Sequence, residues 1–167
     1  MSEKVERLRE VLNEPGLIVL PGCHDAISAR IVARAGYPLA FMGGLAVAAA
    51  RLGLPDSGLI SYAEMLDQGR NICAAVPIPV IGDGDTGYGN AVNVKRTVAG
   101  YANAGFACVM IEDQTLPKRC GLAAGVEVVD RAETVARLRA AVDAREEGAD
   151  ILILGRTDAA TTLGFEE

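Results

Sequence analysis

Short runs of continuously apolar residues alternate with helix-patterned segments from one end of this 167-residue chain to the other. The runs fall at residues 17–20, 39–42, 79–82, 107–111 and 150–155. None shows the in–out alternation of a strand with one wet face, so each reads as a strand covered on both sides. Strands of that kind, separated by helices, form parallel sheets with the helices packed outside. Helices are expected over 3–13, after Asp25 to Gly36, over 46–52, after Ser61 to Ala75, over 91–104 after Asn90, and after Asp130 to Gly148. Asp25, Ser61, Asn90 and Asp130 are residue types that accept hydrogen bonds from the first free amides of a helix, and Glu133 stands where a capping box needs it. Val5, Leu8, Val11 and Leu12 mark an inward face on the first helix. Met65, Ile72 and Cys73 do so on the fourth, and Val135, Leu138 and Val142 on the last.

The polar clusters of the chain all follow strands: His24-Asp25, Gly43-Gly44, Asp83 with Asp85, Glu112-Asp113, and Arg156 with Asp158. Functional side chains gathered at the C-terminal ends of parallel strands are the arrangement of an α/β fold of the (β/α)8 TIM-barrel type. A doubly wound sheet is the alternative, but no G-x-G-x-x-G follows the first strand. Five strands do not close an eight-stranded barrel, and residues 163–167 resemble the start of another helix. The expectation is therefore a single partial barrel domain over 1–167, truncated after the fifth strand, whose open edges favour self-association.

Composition narrows the partners. A formal charge of −6 with no basic run argues against nucleic acid and against an anionic membrane surface. No apolar stretch reaches membrane-spanning length, and the first residues do not form a signal peptide. The four cysteines have no C-x-x-C spacing, which suggests neither a zinc site nor a disulfide framework. These features predict a reduced, cytoplasmic protein.

The densest chemistry lies in the stretch from Pro79 to Asn90. Side chains two apart on an extended chain point the same way, so Asp83 and Asp85 converge at the end of the third strand among glycines. Two hard oxygen donors on a tight turn suit Mg²⁺, which keeps several of its waters; solvated turn carboxylates are the plainer reading. Glu112, ending the fourth strand, is a third carboxylate for the same mouth or an ordinary loop acid. Cys120 stands beside Lys118 and Arg119, cations that favour a thiolate. Arg156 at the end of an apolar strand requires an acidic partner, either Asp158 or Glu112, or a ligand.

Asp83-Gly-Asp-Thr-Gly-Tyr-Gly-Asn90, Ile111-Glu-Asp-Gln114, Lys118-Arg-Cys-Gly121 and Gly155-Arg-Thr-Asp158 together resemble the isocitrate lyase/phosphoenolpyruvate mutase superfamily. Pro21-Gly22 before Asp25, and Leu52-Gly-Leu-Pro-Asp56, fit the same pattern. The branch it is most similar to holds 2-methylisocitrate lyases, dimethylmalate lyases and oxaloacetate decarboxylases. The resemblance implies a (β/α)8 barrel assembled as a homo-oligomer, a dimer or tetramer. It implies Mg²⁺, with Mn²⁺ able to replace it, held partly through water by Asp83, Asp85 and Glu112. The 2-oxo-acid half of a small carboxylate substrate would sit against Phe41, Gly43, Gly44 and Leu45. Arg156 would bind its carboxylate, Gly121 would let the loop close over it, and Cys120 would protonate the enolate-like product. The implied activity is cleavage or decarboxylation of a 2-hydroxy- or 2-oxo-dicarboxylate to pyruvate or a related 2-oxo acid.

Three departures bear on that reading. Leu122 stands where the lyase loop carries histidine, Val126 where it carries lysine, and Gly43 supplies no hydroxyl. The alternatives are a phosphonomutase acting on P–C bonds, in which Asp56 would be the catalytic residue, and a non-catalytic barrel fragment acting through association. A haloacid-dehalogenase-type phosphatase is disfavoured, because its D-x-D motif closes the first strand and here the motif closes the third.

Overall fold

The computed structural model describes residues 2–120 and 125–164. Its strands are β1 (Gly22–Cys23), β2 (Ala40–Met42), β3 (Val80–Asp83), β4 (Cys108–Glu112) and β5 (Leu152–Arg156). The helices are α1 (Glu3–Asn13), α2 (Ala26–Arg34), α3 (Gly44–Leu52), α4 (Tyr62–Ala75), α5 (Ala91–Ala104) and α6 (Arg131–Glu146), followed by a single 3-10 turn, Ala159–Thr161. The strands lie side by side in chain order, and every neighbouring pair is parallel. A doubly wound sheet reverses its order at a switch point; this one never does, which is the winding of a barrel.

Each face of the sheet has its own core. Outward-facing Met42, Val80, Val109 and Ile111 pack under the helices. There Tyr101 and Phe106 stack with centroids 4.8 Å apart, and Phe106 fills the space that Gly69 and Gly82 leave without a Cβ. On the inward face, α1 buries Val5, Leu8 and Val11 against Leu39, Ile81 and Cys108. Full burial of such side chains contributes about 1.5–3 kcal/mol each, enough to plug the N-terminal end of the sheet. Further up the same face the residues change from apolar to ionisable: Ile81 gives way to Asp83, Cys108 and Met110 to Glu112, Leu152 and Leu154 to Arg156. The period of two in a strand carries this change to one level across three strands, and that level is the site.

The expected caps are present. Asp25, Ser61 and Asn90 each complete a reciprocal capping box, with Ser28, Glu64 and Asn93 as partners. Asp130 accepts the Glu133 amide, but the Glu133 carboxylate turns to Arg137 instead of closing a box. Three local expectations need correction. The first strand is Gly22–Cys23, not 17–20, because pairing with β2 begins only at the Pro21 carbonyl, which accepts the Phe41 amide; Leu17 is 92% exposed. Leu12 lies on the outer side of α1. On α6 the buried residues are Arg137, Ala140, Ala141 and Ala144, while Val135 is exposed. Small side chains let α6 lie close on α5, so the larger apolar residues take the neighbouring stripe.

Candidate active site

Asp83 is the fixed point of the site. One carboxylate oxygen accepts the Gly44 amide at 2.9 Å, and the other accepts the Asp85 amide at 3.0 Å. Its own carbonyl accepts the buried Tyr101 hydroxyl at 2.7 Å. Gly44 opens α3, and a Cβ there would stand 3.1 Å from Asp83 Oδ2 and 3.3 Å from both Asp85 Oδ1 and Lys118 Nζ. Any larger residue would have to push these charged groups back by a few tenths of an ångström. Asp85 itself has φ +48°, a left-handed conformation that is uncommon for a residue with a side chain and that concentrates at functional sites.

Lys118 is the residue the sequence did not single out for burial. Its side chain is 5% exposed, and its ammonium lies 3.0 Å from Asp56 and in ion-pair contact with Asp85. Expected beside the Cys120 thiol, Lys118 lines the same cleft as Cys120, and its ammonium pairs with Asp56 and Asp85. Four buried acids, Asp56, Asp83, Asp85 and Glu112, face this one ammonium and one arm of Arg156. The imbalance is visible in their acidities. Burial, reinforced by the Asp83 charge and opposed by Lys118, pushes the Asp85 carboxyl up to about 6. Burial pushes Glu112 to about 8, with Lys118 acting against it. Desolvation works to lower the Lys118 pKa, but the Asp85, Asp83 and Asp56 charges hold it above the usual lysine range.

Arg156 meets both of its candidate acids. Nε and one terminal nitrogen grip Asp158 at 3.0 and 2.9 Å, and the other terminal nitrogen reaches Glu112 Oε2 at 3.1 Å. Glu112 Oε1 is buried with no hydrogen-bond partner among the described residues. Asp113 accepts the Thr157 hydroxyl at 2.6 Å and the Asp158 amide at 3.0 Å, which fixes the loop after β5.

A cleft of about 300 Å³ joins these groups. Phe41, Gly43, Gly44, Leu45, Asp56, Asp83, Glu112, Cys120 and Arg156, all singled out from sequence, line it together with Lys118 and Arg119. Asp85 stands behind this wall, bonded to Lys118. Gly121, Leu122 and the other residues between Cys120 and Gly125 lie outside the described residues. Val126, at the other departure, is buried. His24 is absent from the lining; it lies beside Asp25, 3.8 Å from its carboxylate.

The donor set suits a hard, hydrated dication. An excess of buried carboxylate charge and an unpartnered Glu112 oxygen call for positive charge, and every candidate donor is an oxygen. Among the described residues no three acidic, histidine or cysteine side chains converge closely enough to wrap a metal by themselves, so water would complete the shell.

The phosphoenolpyruvate phosphomutase family matches residues 8–166. A 2,3-dimethylmalate lyase from Eubacterium barkeri is 45% identical over 161 residues, 96% of this chain and 55% of that protein. The structure of oxaloacetate acetylhydrolase in complex with the inhibitor 3,3-difluorooxalacetate superposes with a TM-score of 0.93 at 40% identity, covering 98% of this chain and 56% of that one. A phosphonopyruvate hydrolase in complex with oxalate and Mg²⁺ superposes with a TM-score of 0.86 at 31% identity, covering 98% and 55%. The chain spans about half the length of the curated relatives it matches. On its sequence motifs, its singly wound sheet and these similarities, the chain belongs to the phosphoenolpyruvate phosphomutase family, within the superfamily that also holds the isocitrate lyases.

Proposed function

We propose that this chain carries the metal- and carboxylate-binding face of a Mg²⁺-dependent carbon–carbon lyase or decarboxylase. Its substrate is a small 2-hydroxy- or 2-oxo-dicarboxylate, and its product pyruvate or a related 2-oxo acid. One observation carries the reading: the unpartnered Glu112 oxygen shares a cleft with Asp83, the first turn of α3, Arg156 and Cys120. The relatives' names run the same way, a dimethylmalate lyase and an oxaloacetate acetylhydrolase among them.

Asp83, Asp85 and Glu112 are the residues that would hold Mg²⁺ or Mn²⁺, in part through water. When bound, the ion supplies positive charge to substrate oxygens that gain electron density as the carbon–carbon bond breaks. The chain's own residues do the rest. At the start of α3, the Gly44 amide is taken by Asp83, whereas the Leu45 and Ala46 amides have no intrahelical acceptor. They present donors to the 2-oxo-acid end of a substrate lying against Phe41 and Gly43. Arg156, pre-shaped by Asp158, binds the carboxylate. Cys120 holds the proton that quenches the enolate-like product, a role suited to a thiol near neutral pH. Gly121 belongs to the same loop. We take residues 1–167 to act as a single partial barrel domain within a homo-oligomer. With all four cysteines free thiols, we place it in the cytoplasm.

A second reading, phosphonate chemistry, is favoured by the position of Asp56 in the cleft wall beside Lys118; Cys120 on the same cleft favours the lyase. Calorimetric titration of the chain with Mg²⁺ is the first test. Binding that is lost in Asp85→Ala supports the site, and wild-type affinity in that variant overturns it. Pyruvate release from oxaloacetate and methylisocitrate, set against formation of phosphoenolpyruvate, or of pyruvate and phosphate, from phosphonopyruvate, then separates the two chemistries.

A further inference from the structure

Gln114 follows the Glu112-Asp113 pair at the end of β4 and is 1% exposed. Both ends of its side-chain amide are in use. The oxygen accepts the Arg119 amide at 2.9 Å, and the nitrogen donates to Asp158 Oδ2 at 2.7 Å. The first bond seats the loop that carries Cys120, whose own amide donates to the Asp56 carbonyl at 3.0 Å. The second acts on the carboxylate that grips the Arg156 guanidinium through two nitrogens.

The amide cannot turn over. A flip would set its NH₂ against the Arg119 N–H and its carbonyl against the Asp158 carboxylate, replacing two bonds by two repulsions. The backbone beneath it is held as well: the Gln114 carbonyl accepts the Arg137 guanidinium at 2.9 Å, and Gln114 forms an antiparallel bridge with Val128. Glutamate would oppose Asp158, and an apolar residue would take the acceptor from the Arg119 amide and one of the two donors from Asp158 Oδ2, leaving that oxygen Arg156 alone.

We propose that Gln114 is a positioning residue that sets the carboxylate-binding arginine and the cysteine loop in register through one rigid amide. It therefore fixes the spacing between the carboxylate the protein grips and the group the thiol addresses. The inference rests on the reading of Arg156 as the carboxylate clamp and Cys120 as the acid, and it adds the element that relates them.

Two variants of the full chain test it, each assayed well below its own unfolding temperature. The readouts are phenylglyoxal modification of Arg156 and iodoacetamide modification of Cys120, both followed by peptide mass, and oxalate affinity in the presence of Mg²⁺. Gln114→Glu keeps an oxygen for the Arg119 amide but sets a carboxylate against Asp158. It is expected to speed Arg156 modification and weaken oxalate binding by about tenfold, as loss of a hydrogen bond to a charged group does, with Cys120 reacting within about twofold of wild type. Gln114→Met removes both bonds and is expected to expose both residues, each reacting about tenfold faster. Wild-type rates at Arg156 in both variants overturn the proposal, and so does a response confined to Cys120, which would make Gln114 a loop staple alone. Should Gln114→Met fail to fold, the Arg156 and Cys120 rates of Gln114→Glu decide. If the unmodified chain binds no oxalate with Mg²⁺, the functional reading falls, while the two modification rates still judge Gln114.

Discussion

Glu112 and Arg156 are register partners across β4 and β5, and their side chains meet at 3.1 Å on the inward face of the sheet. Parallel pairing sets them opposite one another, so strand register, not loop conformation, delivers the acid–arginine contact. Arg156 is two-thirds enclosed and still holds Asp158 with its remaining nitrogens. One planar fork thus serves a carboxylate on each side, with one of those carboxylates turned toward the cleft.

Arg156→Lys should show what the fork contributes. An ammonium cannot reproduce two parallel bonds to Asp158 and a third to Glu112. Oxalate affinity measured calorimetrically with Mg²⁺ should fall by about tenfold or more. Affinity for Mg²⁺ alone should fall by less, since Asp83 and Asp85 keep their partners and only Glu112 has its contact altered. Equal loss in both titrations would mean that the arginine supports the carboxylate cluster and does not grip the ligand.

The cysteines offer a direct check on the fold. Burial pushes the thiol of Cys23 up to about 11 and those of Cys73 and Cys108 to about 12, whereas Cys120 is half-buried on the cleft. The thiolate is the reactive form. Iodoacetamide at pH 8 should therefore label Cys120 first in the folded chain and the other three only on unfolding. Rapid labelling of Cys108 under native conditions would contradict the packing of α1 against β4.

What the sequence revealed, and what it concealed, follows from the range of the interactions. The strands β2 to β5 were legible because each is a continuous apolar run ending in a polar cluster, a pattern confined to a few neighbouring residues. The first was misplaced because residues 17–20 form the more apolar run, while pairing with β2 reaches only Pro21. Asp83, Glu112 and Arg156 were legible for the same local reason: each closes a strand. Burial of Lys118 was not. A lysine in a proline-containing loop carries no such signal, and its need for burial arises only when Asp56 and Asp85, distant in sequence, are brought together. Gln114 was hidden likewise, since an amide following two acids reads as one more polar residue. Arg137 on α6 has a helix-neighbour partner in Glu133, but its burial escapes pattern reading because it depends on a second partner, the Gln114 backbone carbonyl, distant in sequence.

Capping of α2 gives a prediction with a pH sign. Hydrogen bonds to Asp25, first from the Ser28 amide and next from its hydroxyl, hold the carboxyl below its usual range, with His24 nearby adding a smaller pull. A pKa depressed by folding stabilises the folded chain above the unfolded value and loses that contribution as pH falls through the folded one. Asp25→Ala should thus cost about 1 kcal/mol near pH 7, in line with other helix caps, and progressively less below pH 4. Urea denaturation of both proteins across pH 2.5–7 measures the difference. A constant gap over that range would show that the charge on Asp25 is irrelevant to the cap.

Gly44 provides the sharpest test of how the carboxylates are held. Its amide is the donor to Asp83 Oδ2, and the space a Cβ would take is bounded by Asp83, Asp85 and Lys118 at 3.1–3.3 Å. In Gly44→Ala the methyl group must displace at least one of the three by a few tenths of an ångström, and each is buried, so the displacement falls on the carboxylates proposed to hold the metal. Outer partners of metal ligands typically govern affinity by about 10–100-fold when altered, and Mg²⁺ affinity should fall within that range. Stability should change far less, because alanine favours the helix that this residue begins. Gly43→Ala is the matched control: its Cβ would approach only the Phe41 ring, at 3.3 Å, and should leave Mg²⁺ affinity nearly intact while obstructing the ligand side of the cleft. Calorimetry with Mg²⁺ alone, then with oxalate added, separates the two positions. Equal Mg²⁺ affinity in wild type and Gly44→Ala would place the ion away from Asp83 and Asp85.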